Sequence, residues 1–337
     1  MTPPRAVVFG IAGTILTADE KAFLRDADPL GFILFGRNCE EPDAIRGLTA
    51  ELRNTVGRDD APVLIDQEGG PVMRLRPPIW HDAPAAQTLG NLYLDDPDRA
   101  INATRALGSM FGAELLELGI DVDCAPVADL ARPETTDAIG TRAYSDNPRI
   151  VAVLARAMAE GLQQEGCLPV IKHIPGHGRA QVDSHQVLPH VSADREALQT
   201  TDFSVFAELC DLPVGMSAHV VFEAFDPDDP ATTSRTVIEQ LIRGHIGFDG
   251  FLFSDDIVMS ALSGSPSERT RRVLESGCDA VLHCSGELSE MIDVAAAAEP
   301  LTHASMLRWN KAQSARIQKS GYGAGLYADQ LAELLTS

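Results

Sequence analysis

Eight short, almost wholly apolar runs punctuate the chain, at Ala6–Phe9, Phe32–Phe35, Val63–Ile65, Val122–Val127, Pro169–Ile171, Val214–Ala218, Phe251–Phe253 and Ala280–Leu282. A strand with one wet face alternates apolar and polar residues, whereas a strand covered on both faces is apolar throughout. These runs are of the second kind and predict a parallel sheet buried on both sides. Helical patterns separate them. Asp146-Asn147-Pro148 supplies a cap and an early proline, after which Val151, Leu154, Ala155, Met158 and Leu162 keep i, i+3, i+4, i+7 spacing until Gly166 closes the helix. Asp96-Pro97 opens another in the same way, running through Ala103, Leu107 and Met110 toward Leu118 and Gly119.

Repeated eight times at about 30 to 50 residues per unit, this strand–helix pattern predicts an α/β fold, a closed (β/α)8 TIM-type barrel. An open dinucleotide-binding sheet fits less well, because no GxGxxG follows the first run. No Ser- or Pro-rich linker interrupts the pattern, so residues 1–337 are expected to form a single domain. The segment from Thr302 onward is expected to add terminal helices that pack on the barrel.

The 49 acidic against 27 basic side chains give a formal charge of -22, which opposes phosphate backbones and anionic lipid. No nucleic-acid or membrane partner is therefore expected, and the acidity reads as a solvated surface. No apolar run approaches the ~18 residues of a membrane span. Gly10 and Gly13 interrupt the segment Met1 to Leu16 and Asp19 follows, so no export signal is read there and a cytoplasmic location is expected. Cys39, Cys124, Cys167, Cys210, Cys278 and Cys284 lack CxxC spacing and are read as reduced core thiols.

Barrel enzymes carry their chemistry at the C-terminal ends of the strands. In this chain the third run ends in Asp66-Gln67-Glu68-Gly69-Gly70 with Arg74 beyond, the fifth in Lys172-His173, the sixth in His219, the seventh in Ser254-Asp255-Asp256 and the eighth in His283. Asp255 leaves an apolar strand directly, where a carboxylate can face a substrate while partly desolvated; the alternative is an ion-paired structural Asp or a helix cap, a role that suits Asp256 better. Asp183-Ser184-His185 places a carboxylate and an imidazole two residues apart on one side of an extended loop. Such a pair fixes the tautomer of His185 and raises its basicity, so the ring can give a proton to a leaving group and recover it from water. The plainer alternative is a loop histidine capping a turn; the position just beyond Lys172-His173-Ile174-Pro175-Gly176-His177-Gly178 favours the first. Lys172 needs a partner if it is buried, and Asp66 and Asp129 are the expected ones. His177 is read as a turn residue held between Gly176 and Gly178, in a loop able to move.

Two rival readings use the same residues. His173, His177, Asp183, His185 and His219 form a possible metal set, although Pro175 and Gly176 prevent one helix from presenting both His173 and His177. A non-catalytic sugar- or peptide-binding barrel needs neither a nucleophile nor a proton-shuttling pair. A serine nucleophile is disfavoured, since no GxSxG occurs.

The motifs DQEGG at Asp66–Gly70, GTRAYSDNP at Gly140–Pro148, KHIPGHG at Lys172–Gly178, DSH at Asp183–His185 and FSDD at Phe253–Asp256 resemble, in order and spacing, those of the single-domain bacterial β-N-acetylhexosaminidases of glycoside hydrolase family three that act in cell-wall recycling. The resemblance runs from the first strand to the last helices. It implies a retaining double displacement in which Asp255 attacks the anomeric carbon and His185, held by Asp183, serves as acid and then base. Most retaining glycosidases instead use a second carboxylate ~5 Å from the first. It further implies that Asp66, Arg74, Arg142, Lys172 and His173 hold a terminal N-acetylglucosamine through its hydroxyls. Pro71 is a departure, standing where many relatives carry arginine. The implied substrate is N-acetylglucosamine β-1,4-linked to anhydro-N-acetylmuramic acid, with or without peptide, cleaved by a monomer that needs no metal or organic cofactor. A family-three β-glucosidase or a phosphorylase, with phosphate in place of water, is the alternative within the family.

Overall fold

The computed structural model describes residues 3–133, 136, 138–316 and 321–336. Met1 and Thr2 of the Met1–Leu16 segment, and parts of the expected 1–337 domain, lie outside the described residues. Eight parallel strands close into a barrel in chain order: β1 (Arg5–Gly10), β2 (Pro29–Leu34), β3 (Val63–Ile65), β4 (Val122–Asp123), β5 (Leu168–Ile174), β6 (Val214–Ser217), β7 (Phe251–Asp256) and β8 (Ala280–His283). Val7 of β1 opposite Val281 of β8 closes the ring. A helix or helical pair follows each of the first seven strands, including α1 (Ala18–Ala27), α2 (Pro42–Val56), α3 (Ala86–Asp95), α4 (Pro97–Glu117) and α5 (Pro148–Glu165). The expected (β/α)8 fold is thus the observed one.

The uniform hydrophobicity of the strands has the cause inferred from it. Val8, Leu64, Val170, Met216, Phe253 and Leu282 pack together inside the barrel, while Val7, Phe9, Ile65, Ile171, Leu252 and Val281 pack against the helices outside. Side chains alternate across a strand, so two buried faces require an apolar residue at nearly every position. Local signals set the helix ends. Thr17 and Glu20 form a reciprocal capping box on α1, Asp96 caps α4 through the Arg99 N–H, and Asn147 caps α5 through the Arg149 N–H, each satisfying a donor that the first turn leaves unpaired.

Two strand boundaries differ from expectation. β4 stops at Asp123 instead of reaching Val127: Pro126 has no N–H for a regular ladder, and beyond Asp123 the segment meets β5 through the Ala125 and Pro126 carbonyls and an isolated bridge, Val127 to Lys172. β5 and β7 run further than expected, through Ile174 and Asp256, so Lys172 and Asp255 are strand residues. Continuing the inward alternation one step beyond Val170 and Phe253 arrives at Lys172 and Asp255. The same rule that fills the barrel with hydrocarbon therefore carries two charged groups to its open end.

At the other end, Trp309 from the helix His303–Ser314 seals the barrel, with its ring 5.1 Å from Phe251 and 6.3 Å from Phe253, edge to face. The helix Ala324–Thr336 is fastened to α5 by the Tyr327 hydroxyl, which donates to Glu165 Oε1 at 2.6 Å. The described part of the segment from Thr302 carries these two helices, as expected, and the first closes the barrel floor. Four of the six cysteines are buried free thiols, but Cys39 and Cys210 are only half-buried. Among the described residues no helix is long and apolar enough to cross a membrane.

Candidate active site

At the C-terminal mouth of the barrel lies a cavity of about 350 Å³. All eight residues given a catalytic or sugar-binding role by the family resemblance line it: Asp66, Arg74, Arg142, Lys172, His173, Asp183, His185 and Asp255. They come from four different strand ends, which is how a barrel assembles a site from residues distant in sequence.

The Asp66–Gly70 segment is shaped locally. Gln67–Gly69 and Val72–Met73 pair as a small antiparallel ribbon that turns the chain back on itself. The buried Gln67 side chain holds the return, accepting from the main-chain N–H groups of Arg74 and Leu75 and donating to the Leu75 carbonyl. Gly69 and Gly70 have φ of 96° and 56°, and a Cβ on them would meet the Pro84 carbonyl at 2.4 Å and Ala85 Cβ at 2.6 Å, so the turn admits only glycine at both positions. This fold returns Arg74 to Asp66, with Nη2 donating to Oδ2 at 2.9 Å.

Lys172 is buried with two carboxylates around it: Nζ lies 2.8 Å from Asp66 Oδ1 and 2.6 Å from Glu68 Oε1. Burial alone would lower the Lys172 pKa, but Asp66 and Glu68 outweigh it and raise the ammonium above its usual range. The paired reading of Lys172 holds, with a correction to its partners. Asp129 does not reach it; its carboxylate accepts from the N–H groups of His173 and His177 and meets His173 Nδ1 at 2.7 Å. Glu68, which the sequence reading left without a role, takes that place and also binds Arg142 in a two-pronged pair, Nε and Nη2 each at 2.8 Å. Arg74, Lys172 and Arg142 thus surround two carboxylates, a cluster with one positive charge in excess. Burial would raise the carboxyls of Asp66 and Glu68, yet the cations hold both below the ordinary carboxylate range.

Asp255 faces the same cavity, and among the described residues no cation is bonded to it. Its Oδ1 accepts the Asp256 N–H at 2.8 Å. Burial works to raise its pKa, and the His173 and His219 rings, the Asp256 N–H and Lys172 together bring it below the usual value, so it is ionised at neutral pH. Asp256 has the structural role expected of it: its Oδ1 accepts from the N–H groups of Val258 and Cys284, and burial pushes its carboxyl up to about 6.

His185 and Asp183 are coupled as read, though not in an extended loop. Residues 183–187 form a turn, with the Gln186 and Val187 N–H groups donating to the Asp183 carbonyl. Asp183 Oδ1 accepts the His185 N–H at 2.9 Å and meets His185 Nδ1 at 2.8 Å, so the turn-capping alternative and the paired alternative coexist in one carboxylate. The side chain is 68% exposed, and Nδ1 is the ring nitrogen that meets Asp183. His177 opens a turn as expected, its carbonyl accepting the Ala180 N–H at 3.0 Å, but its side chain is not free. It is buried, stacks edge-on against His173 at 5.6 Å and meets Ser184 Oγ through Nε2 at 3.2 Å. Gly178 serves close packing: a Cβ there would lie 2.1 Å from the Leu130 carbonyl. The residues of the metal rival are separately engaged, His173 by Asp129, His177 by Ser184, His185 by Asp183, and His219 by Thr232 and the Asp256 carbonyl.

Comparison with known proteins gives a consistent picture. The sequence profile of the glycosyl hydrolase family 3 N terminal domain matches residues 11–319. The chain is 40% identical over 290 residues to a β-hexosaminidase of Xanthomonas axonopodis pv. citri, covering 84% of each chain. It is 38% identical over 283 residues to a β-hexosaminidase of Alkalilimnicola ehrlichii, covering 83% of this chain and 80% of that one. The crystal structure of NagZ from Neisseria gonorrhoeae in complex with N-trifluoroacetyl-D-glucosamine superposes with a TM-score of 0.87 at 32% identity over 99% of both chains.

Proposed function

Because the chain belongs to glycosyl hydrolase family 3 and is a β-N-acetylhexosaminidase of that family, we propose that it removes terminal non-reducing N-acetylglucosamine from peptidoglycan fragments, N-acetylglucosaminyl-β-1,4-anhydro-N-acetylmuramic acid with or without peptide, as a cytoplasmic monomer whose residues 1–337 form one catalytic domain. A cavity of about 350 Å³ at a barrel end whose interior is filled suits one terminal sugar and exo attack.

Asp255 attacks the anomeric carbon while His185, protonated on Nε2, gives that proton to the glycosidic oxygen; the bond to the aglycone breaks and a glycosyl ester of Asp255 forms. Water then enters, His185 takes a proton from it, the new oxygen bonds to the anomeric carbon, and Asp255 leaves as carboxylate. Two displacements retain the β configuration. Asp183 holds the ring through Nδ1; burial works against the Asp183 charge, and the main-chain and ring N–H groups of His185 outweigh it. Asp66, Arg74, Arg142, Lys172 and His173 bind the sugar hydroxyls. A site built to bond several hydroxyls discriminates strongly against sugars that present them otherwise.

The observation that carries this reading is a single one: an ionised carboxylate, bonded to no cation among the described residues, shares one cavity with an aspartate-held imidazole and three partly paired cations. Trapping with a slow fluorinated N-acetylglucosaminide followed by mass spectrometry is expected to label Asp255, and Asp255→Ala to lose several powers of ten in rate. A label elsewhere, or a product of inverted anomeric configuration by NMR, rejects the mechanism. Comparing the anhydro-muramyl disaccharide with other N-acetylglucosaminides tests the substrate separately.

A further inference from the structure

The proton carrier proposed above sits on a turn whose neighbouring contacts pass through the residue between its two members. Asp183 and His185 are partly exposed and face the cavity, whereas Ser184 is buried. Its Oγ meets His177 Nε2 at 3.2 Å, and its carbonyl accepts the Ala261 N–H at 3.2 Å, from the segment just beyond Asp255 and Asp256. His177 is itself fixed: its N–H donates to Asp129 Oδ1 at 2.6 Å, the carboxylate that also holds His173, and its ring lies against the His173 ring. A line of bonded groups therefore runs from His173, on the sugar-binding side, through Asp129 and His177 to Ser184 and the turn.

Resting on the reading of His185 as acid and base, we infer that His177 and Ser184 are positioning residues that pin the 183–187 turn so that His185 presents Nε2 to the leaving oxygen. A ring 68% exposed and, among the described residues, held by its own turn is oriented no better than that turn is. General acid catalysis requires hydrogen-bond reach of the proton acceptor, so a turn that drifts by an ångström loses the proton transfer while the nucleophile and the sugar contacts remain. Burial and the nearby His173 pull His177 down to about 4, so its ring is neutral at working pH and bonds to Ser184 as a neutral partner. Its Nδ1 is buried with no hydrogen-bond partner among the described residues, so the Ser184 contact is the one side-chain hydrogen bond that fixes the ring there.

The test compares wild type, Ser184→Ala, His177→Phe, the double variant and His177→Gln, whose amide nitrogen reproduces the position of Nε2. The kcat/KM for a series of aryl N-acetyl-β-glucosaminides is measured, because it reports the step in which the aglycone leaves. On leaving groups that need a proton, Ser184→Ala and His177→Phe are each expected to lose about 3- to 10-fold, the scale of one neutral hydrogen bond. On activated phenols the loss is expected to shrink, the double variant to be no worse than the poorer single one, and His177→Gln to recover most of the rate. Amide hydrogen exchange across 183–187 is expected to quicken in both single variants. Losses independent of the leaving group, or strictly additive ones, overturn the inference, as does unaltered exchange. His185→Ala measured alongside separates the two ideas: if it shows no leaving-group dependence the parent reading falls and takes this one with it, whereas a normal dependence with inert Ser184 and His177 variants sinks the pin alone.

Discussion

Among single residues, Glu68 shows how a site can be half legible. Asp183 and His185 are two positions apart, so their pairing follows from sequence, and the DQEGG segment marks Asp66 as a strand-end carboxylate. The partners of Glu68 are not local: Arg142 stands 74 residues away, and only the closed barrel brings the two strand ends together. His177 escaped for a related reason, since flanking glycines suggest a free turn while the packing that buries it comes from Asp129 and His173. Removing the Glu68 charge tests the cluster directly. Glu68→Gln leaves three cations around the single carboxylate of Asp66, and breaking a buried pair from one side costs about 3–5 kcal/mol. Urea unfolding is expected to show a loss of that order. KM is expected to rise more than kcat falls, because Lys172 and Arg142 are proposed to act on the bound sugar rather than on the proton. A variant with wild-type stability would mean that the cations are satisfied elsewhere.

Elements were the most readable level, and their errors were physical ones. All eight runs became strands because two-sided burial writes itself into the sequence as unbroken hydrophobicity. The misplaced ends came where that signal stops: Lys172, His173 and Asp255 look like loop residues by hydropathy, yet they continue the strand, Lys172 answered by Asp66, His173 by Asp129 and Asp255 by the Asp256 N–H. Turn geometry at Asp183–Val187 was hidden because an aspartate offers its carboxylate equally to an extended pair or to a capped turn. The helix His303–Ser314 was expected, but its role as a floor was not. Trp309 fills the closed end against Phe251 and Phe253, so Trp309→Ala is expected to cost about 3–5 kcal/mol by denaturant midpoint while leaving KM nearly unchanged. A strongly altered KM would show that the two ends of the barrel communicate.

For the molecule as a whole, the formal charge of -22 acts on stability through self-repulsion. The paired groups at the mouth are buried and poorly screened, whereas the surplus acids belong to the surface. Raising the ionic strength from about 0.01 M to about 0.15 M shortens the screening length from roughly 30 Å to roughly 8 Å. The melting temperature is therefore expected to rise with added sodium chloride, and a fall would assign more weight to surface ion pairs than to net repulsion. Electrostatics within the cavity obeys a different account. The surroundings that keep Asp255 ionised, two imidazoles, a main-chain N–H and a lysine, make it a weak base. A weak base is a reluctant attacker but a willing departer. For a carboxylate proposed to bond to a sugar and then release it, the architecture is tuned to the exit, so that the ester stage is brief and the enzyme is returned ready for its next encounter.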